Sequence, residues 1–223
     1  MSSSTIVKKP AGDFTSWLNR IRQTQVSKEN MEVPCGNCRA CCTSSYFIHI
    51  KPTEVQTISK IPNELLFAAP GLPKSNVLLG YDKNGHCPMF VDNECSIYEY
   101  RPQTCRDYDC RIFPATGLSV EHDKLLIADQ LNRWQFEYSS EQDQKYVSAL
   151  RSAAKFLIEH AELFPGGFIP TNPTQQAVLA IKVYEVFLEK SHAPDEQKSD
   201  KKIHEIVEAV ISSYQMFERK ENV

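Results

Sequence analysis

The sequence lacks several features that identify common functional classes. It has no excess of basic residues, since 25 lysines and arginines stand against 28 acidic residues and the net charge is -3. Proteins that bind nucleic acids use such an excess to neutralise phosphates. It also lacks a long apolar run: residues 177–188 are too few to cross a bilayer and include Lys182 and Glu185. We therefore expect no nucleic-acid partner and no membrane partner.

We also expect no secretory signal. Lys8 and Lys9 are not followed by an apolar stretch, and Asp13 interrupts the next one. We expect a cytoplasmic protein, and in that reducing compartment clustered cysteines bind metal or act in catalysis. The alternative is a disulfide-bonded extracellular domain, because the cysteine count of eight is even.

The motifs of familiar enzymes are absent as well. The chain has no GxSxG elbow, no phosphate-binding loop and no HExxH helix. It does not contain the CxxxCxxC spacing of radical S-adenosylmethionine enzymes either. The sequence therefore leaves open whether the protein is an enzyme.

What the sequence does contain is a set of cysteines confined to its first half. A CxxCxxCC run begins at Cys35, and no cysteine follows Cys110. Two residues between cysteines let a tight turn direct both thiolates at one centre, and Gly36 lets the backbone come close to the sulfurs. Eight thiolates can fill two four-coordinate sites, or hold one cluster and a separate ion. The candidate metal and cofactor ligands are Cys35, Cys38, Cys41, Cys42, Cys87, Cys95, Cys105 and Cys110.

Cys41 and Cys42 are adjacent in the sequence. In an extended segment, neighbouring side chains point to opposite faces. We therefore expect the two thiols to serve different centres, or one of them to be a reactive thiolate beside the metal.

Charged and imidazole side chains accompany the cysteines. Arg101, Arg106 and Arg111 surround the last two cysteines, where their charge can stabilise thiolates. Alternatively, they pair with the acidic residues beside them. His49 and His86 are the only histidines in the segment and are weaker candidates for ligands, because eight thiols suffice.

The rest of the sequence predicts mostly helices. Asp13 can cap a helix whose apolar face includes Phe14, and further helical patterns follow Ser140, the Asn172–Pro173 pair and Ile203. Within and after the cysteine segment the pattern predicts a strand at 46–50, a helix from a Thr53 cap to residue 61, and extended segments at 125–128 and 134–138.

These elements predict an α+β fold that is mostly helical. A small cysteine-rich segment stabilised by metal would pack against an N-terminal helix and about three C-terminal helices. We expect residues 1–33 to form the N-terminal helical segment, 34–116 a cysteine-cluster metal-binding domain, and 117–223 a mixed linker and helical C-terminal region.

Three stretches of the sequence resemble a known family. They are the CxxCxxCC run at 35–42, GHCPMF at 85–90 and CSIYEYRPQTCRDYDCR at 95–111. Together they resemble the YkgJ-like cysteine-cluster family, a zinc- or iron-chelating domain. The resemblance implies a metal-binding domain, often labelled iron–sulfur, whose ligands are the matching cysteines. A similar segment occurs in flagellin lysine methylases, which suggests a link to protein methylation by analogy alone.

Three functional hypotheses follow. The first is a metal-binding protein that carries an iron–sulfur cluster, of the four-iron four-sulfur type, or zinc, with a redox or metal-handling role. The second is a metal-dependent enzyme, either a protein-modifying enzyme like the lysine methylases or an oxidoreductase component. The third is a thiol-based redox sensor, suggested by Cys41 and Cys42. Besides the metal, a protein can be the partner or substrate.

Overall fold

The computed structural model describes residues 7–27, 31, 33–73, 75–188 and 200–221. Across these residues it is about 52% helical, with eight helices and a few short strands, which confirms the predicted α+β class with mostly helical content. In chain order the elements are β1 (Lys9–Asp13), α1 (Phe14–Ser27), β2 (Ile48–Ile50), α2 (Val55–Ser59), β3 (Leu66–Ala68), β4 (Val77–Leu79), β5 (Phe90–Val91), β6 (Glu94–Cys95), α3 (Gln103–Asp107), α4 (Ile112–Thr116), α5 (Leu125–Leu131), β7 (Trp134–Glu137), α6 (Glu141–Glu159), α7 (Pro173–Val183) and α8 (Asp200–Glu221).

The chain divides into two compact units. The described residues of the first unit lie within Met1–Glu29, Cys110–Glu121 and Leu131–Val223. Those of the second unit lie within Asn30–Asp109 and His122–Gln130. The boundaries expected after residues 33 and 116 stay a prediction, because a domain boundary is a statement about which parts fold independently.

The first unit is a helical assembly with one small sheet. Helix α6 packs against α4 and α7, and α7 packs against α8. The predicted spacing on α6 is reflected in the burial of Leu150, Ala153 and Leu157. Strands β1 and β7 pair in parallel, which confirms an extended segment near residues 134–138. The sequence also predicts that the helix after Asn172 ends before Pro194 and that the charged run 195–202 leads into the last helix; Pro194 and residues 195–199 lie outside the described residues.

Three helices in this unit begin where the sequence predicts, and each start has a capping side chain. Asp13 Oδ1 accepts the N–H of Ser16, in the first turn of α1, at 2.8 Å. Asn172 does the same for Gln175 at 3.2 Å on α7. Ser140 caps the N-terminus of α6 and forms a reciprocal capping box with Asp143.

Asp143 connects the N-terminal ends of helices α1 and α6. Its buried carboxylate accepts the N–H of Ser140 at 2.8 Å and its hydroxyl at 2.7 Å, and it also accepts the N–H of Thr15 at 3.0 Å together with the Thr15 hydroxyl. The hydrogen bonds from Thr15 and Ser140 lower the pKa of Asp143 to about 2. The carboxylate therefore stays charged in the core at neutral pH, fully supplied with donors.

The second unit has a small core under a three-stranded antiparallel sheet in the order β2–β4–β3. Alternation along β2 buries Ile48 and Ile50 on one face. The buried cluster consists of Ile48, Ile50, Ile61, Leu79 and Ile97. Three cysteines, Cys87, Cys95 and Cys105, are partly buried against this cluster, so the core of this unit also supports part of the candidate site.

Some predicted elements of this unit differ from the structure. The strand expected at 46–50 is limited to β2. Thr53 does not cap a helix, because α2 begins one residue later, after Glu54, and no side chain caps it. The extended segment expected at 125–128 is wrong, since these residues begin α5. In α5 the buried residues Ile127 and Gln130 are three apart, which suits one face of a helix rather than the alternation of a strand.

Candidate metal centre

The CxxCxxCC run folds as a tight turn followed by a single 3₁₀ turn, Ala40–Thr43. The N–H of Cys38 donates to the carbonyl of Cys35 at 3.1 Å. Gly36 has a φ of 56°, a conformation that residues with a Cβ rarely adopt, whereas a Cβ added there would touch nothing within 4 Å. Glycine is therefore required by the backbone of the turn, and not by the close approach to sulfur that the sequence suggested.

Cys41 and Cys42 lie together in the 3₁₀ turn, and their Sγ atoms are 4.0 Å apart. The expectation that they point to opposite faces is wrong, because this segment is helical rather than extended. Two thiolates on one tetrahedral zinc ion lie about 3.8 Å apart, given Zn–S bonds of about 2.3 Å. The spacing of the adjacent pair therefore suits ligation of one centre.

A main-chain hydrogen bond joins the first cysteine group to the second. The N–H of Cys87 donates to the carbonyl of Cys42 at 2.8 Å. Cys95 follows on β6, in a hairpin where it pairs with Phe90. The two residues at the tip of this hairpin, Asp92 and Asn93, both have positive φ, as a tight two-residue hairpin turn requires.

Cys105 is carried by α3, a helix of only five residues. So short a helix is unstable by itself and needs tertiary contacts. Glu54 Oε2 accepts the N–H of Gln103 at 2.6 Å, at the start of α3, and the hydroxyl of Thr104 donates to the carbonyl of His49 at 2.7 Å. These two contacts fix Cys105 against β2 and the loop before α2.

The thiols of Cys41, Cys42, Cys87, Cys95 and Cys105 are close enough to influence one another electrostatically. The hydrogen bond from Cys42 lowers the pKa of Cys41 to about 7, and donating that bond raises the pKa of Cys42. Burial raises the pKa of Cys87, and burial together with the neighbouring thiolates raises the pKa of Cys105. Of Cys41, Cys42, Cys87 and Cys105, Cys41 is thus the one whose pKa favours the thiolate.

The remaining cysteines occupy other positions. Cys35 and Cys38 bracket the turn that opens the same loop. Cys110 belongs to the first unit, where it is 9% exposed and its Sγ accepts the indole N–H of Trp134 at 3.1 Å. An N–H donor of this kind stabilises a thiolate as well as a thiol.

This arrangement of cysteines can now be compared with known families. Residues 34–141 match the CxxCxxCC family model, described as "Putative zinc- or iron-chelating domain". The match covers just under half of the chain, confirms the resemblance to a zinc- or iron-chelating cysteine-cluster domain, and supports metal binding by residues 34–141, which are called the CxxCxxCC domain below. It also extends beyond the three motifs into the start of α6. No curated protein and no solved structure matches the chain. In the described ranges, no helix combines the length and apolar character needed to span a membrane.

The arginines near the last cysteines of the CxxCxxCC domain bind mainly to backbone carbonyls. Arg101 lies over a tyrosine ring, and its charge opposes the rise that burial causes in the pKa of Cys105. Arg106 donates to two carbonyls of its own segment. Arg111, in the first unit, donates to the carbonyl of Ala11 at 3.0 Å. Support of thiolates by positive charge is therefore seen at Arg101.

The two histidines of the CxxCxxCC domain have partners other than sulfur. His49 Nε2 lies 2.9 Å from the side-chain oxygen of Asn76. The ring of His86 packs edge-on against Phe90, with the ring centres 5.9 Å apart. Neither of these contacts is with a cysteine sulfur.

The donor set of the CxxCxxCC domain fits a soft metal centre. Thiolates are preferred ligands of zinc and of iron–sulfur clusters, and here several lie half-buried beside an apolar core. Among the described residues, no three side chains of His, Cys, Asp or Glu are arranged to hold a metal ion together. The fit therefore rests on the chemistry and grouping of the thiols.

Sequence reasoning missed two polar anchors of the CxxCxxCC domain. Arg39 lies inside the motif and binds backbone carbonyls on two segments, and its place between four cysteines was a usable signal. Glu54 contacts a residue 49 positions later, and no local pattern predicts such a contact.

Proposed function

We propose that the CxxCxxCC domain binds a four-iron four-sulfur cluster through cysteine thiolates and serves a redox or metal-handling role. The observation that carries this proposal is the grouping of five thiols, from Cys41 and Cys42 to Cys87, Cys95 and Cys105, in one small unit. The proposed ligands are drawn from the eight cysteines named above, with these five at the centre. Zinc is the alternative metal, because thiolates bind both.

Backbone N–H groups near two of the sulfurs support a thiolate centre. Those of Met89 and Phe90 oppose the rise that burial causes in the pKa of Cys87, while the N–H of Phe90 itself donates to the Cys87 carbonyl at 2.8 Å. Those of Cys41 and Cys42 help to lower the pKa of Cys41, in addition to the larger effect of the Cys42 thiol. Nearby N–H dipoles stabilise the negative charge that several thiolates concentrate.

The apolar surroundings support the same proposal. Three of the grouped cysteines pack against the isoleucine- and leucine-lined core of the second unit. An apolar shell limits the access of water, which protects a cluster and shifts its potential. We also propose a reducing, cytoplasmic location, because such a compartment keeps the free thiols of the group available for metal.

The proposal is tested by purifying the protein without oxygen and measuring iron, zinc, acid-labile sulfide and the visible spectrum. We expect iron and sulfide in equal amounts and a broad charge-transfer band. Zinc without sulfide would show that the thiols bind zinc rather than an iron–sulfur cluster. A protein that retains neither metal would refute metal binding altogether.

Variants identify the ligands. We expect Cys87→Ser and Cys105→Ser to lose metal and absorbance, because each removes a thiolate from the group. Ser75→Ala is the control, since this residue is exposed in the same unit and the change leaves every thiol in place. Metal content equal to wild type in both cysteine variants would contradict the assignment.

A further inference from the structure

A single guanidinium group connects two parts of the candidate centre. Arg39 Nη1 donates to the carbonyls of Gly36 at 2.9 Å and Cys38 at 3.0 Å. The Nε of the same side chain donates to the carbonyl of Asn93 at 2.8 Å. Arg39 therefore binds the turn that opens the CxxCxxCC run and, at the same time, a position 54 residues later in the chain.

The acceptor of the Arg39 Nε hydrogen bond, the carbonyl of Asn93, lies in a tight turn. Asn93 lies at the tip of the hairpin that joins β5 to β6, and Cys95 is on β6. The tight turn leaves the carbonyl of Asn93 little freedom, because both tip residues are fixed in the left-handed region. Fixing Arg39 to this carbonyl thus sets the position of the first cysteine turn relative to the strand that carries Cys95.

The contact depends on the shape of arginine. Three carbonyls in different directions are reached by nitrogens of one planar group, and a lysine ammonium on its flexible chain does not reproduce this geometry. Bonds from a charged donor are also stronger than neutral ones. A lysine at this position would keep the positive charge beside the thiolates and lose the fixed geometry.

We propose that Arg39 is a positioning residue for the metal centre, which holds the Cys35–Cys38 turn against the Cys95 hairpin before the metal binds. The role in metal binding rests on the proposed function, whereas the contact itself does not. Preassembly of the two segments reduces the ordering that binding must otherwise impose.

The test compares Arg39→Lys and Arg39→Met with wild type and with the control Arg133→Lys, whose side chain is exposed in the first unit. Hydrogen exchange of the metal-free proteins should be faster in residues 35–42 and 90–95 for both Arg39 variants. Zinc affinity, measured by competition with a chelator, should fall by about tenfold or more, as is typical for partners of metal ligands. The thiolate-to-cobalt absorption of the Co²⁺-loaded variants should also change, while Arg133→Lys behaves as wild type.

The outcomes separate this proposal from the proposed function. If wild type binds zinc and Arg39→Lys shows the same exchange, affinity and cobalt spectrum, the charge alone suffices and the positioning role is refuted. Unchanged exchange in Arg39→Met would refute it as well. If wild type binds neither zinc nor cobalt and also holds no iron or sulfide when purified without oxygen, the proposed function fails, and the role of Arg39 in metal binding fails with it. Far-UV circular dichroism establishes that each variant is folded.

Discussion

Replacing Glu54 with alanine would test how the structure holds the short helix that carries Cys105. The carboxylate of Glu54 accepts the N–H of Gln103 at 2.6 Å and the N–H of Lys51 at 2.8 Å. The first bond acts as an N-terminal cap for α3, supplied from a distant part of the chain. Alanine removes both acceptors and leaves the start of α3 without a capping side chain, since none of its own residues provides one.

The magnitude follows from these two bonds. Loss of an N-terminal cap costs about 1 kcal/mol, and a hydrogen bond to a charged group contributes about 1.5–3 kcal/mol. Glu54 is only half-buried, so water replaces part of what is lost. We therefore expect the free energy of unfolding to fall by about 2 kcal/mol. With a urea dependence of about 2 kcal/mol per molar, the unfolding midpoint should fall by about 1 M.

The assay is urea unfolding of the metal-free protein followed by circular dichroism, with metal content measured separately. Glu54→Gln keeps an oxygen acceptor, so its unfolding midpoint should lie between those of wild type and Glu54→Ala. Glu64→Ala, at an exposed glutamate of the same unit, is the control and should leave the midpoint unchanged. We also expect Glu54→Ala to retain less metal, because Cys105 loses its anchor. A midpoint for Glu54→Ala equal to that of the control would refute this account of α3.

Three further predictions concern single side chains. In metal-free protein, iodoacetamide should label Cys41 first, with a rate that rises as the pH passes through about 7, and Cys42→Ala, which removes the donor to the Cys41 sulfur, should slow the reaction at neutral pH; peptide mass spectrometry checks both. Asp143→Asn should be less stable than wild type at pH 7. Because the pKa of Asp143 is about 2 when folded and about 3.9 when unfolded, this difference should shrink as the pH falls from about 4 to 2, in urea titrations at each pH. Trp134→Phe should lower stability by about 1 kcal/mol or more, because Cys110 loses its buried N–H donor, and an unchanged melting curve would argue against that bond.

Local signals predicted a large part of the fold. The helix starts at Asp13, Ser140 and Asn172 were readable because a capping residue and the apolar pattern that follows it are close in sequence. The segment at 125–128 was misread because Leu125 and Leu126 are exposed, so apolar character there did not indicate burial.

The sequence predicted which segment carries the candidate site, and not the geometry of that segment. The cysteine spacing identified the metal-binding segment, which the family match supports. The 4.0 Å approach of Cys41 to Cys42 depends on a 3₁₀ turn that the spacing alone does not specify. The contact from Arg39 to Asn93 joins residues far apart in sequence, and only the folded chain brings such pairs together.

Each of the two units is made of separate stretches of the chain, and this limits which fragments of the protein can be studied alone. Residues 122–130 belong to the second unit, and there the buried Lys124 ammonium lies 5.0 Å from the ring centre of Tyr46 and 3.4 Å from the carbonyl of Ser45. A fragment cut after residue 116 would contain every cysteine and still lack this lysine. Conversely, a fragment that begins after the last cysteine would lack α1 and β1, the partner strand of β7. Experiments on the metal centre are therefore best made on the uncut chain, with its chemistry altered one side chain at a time.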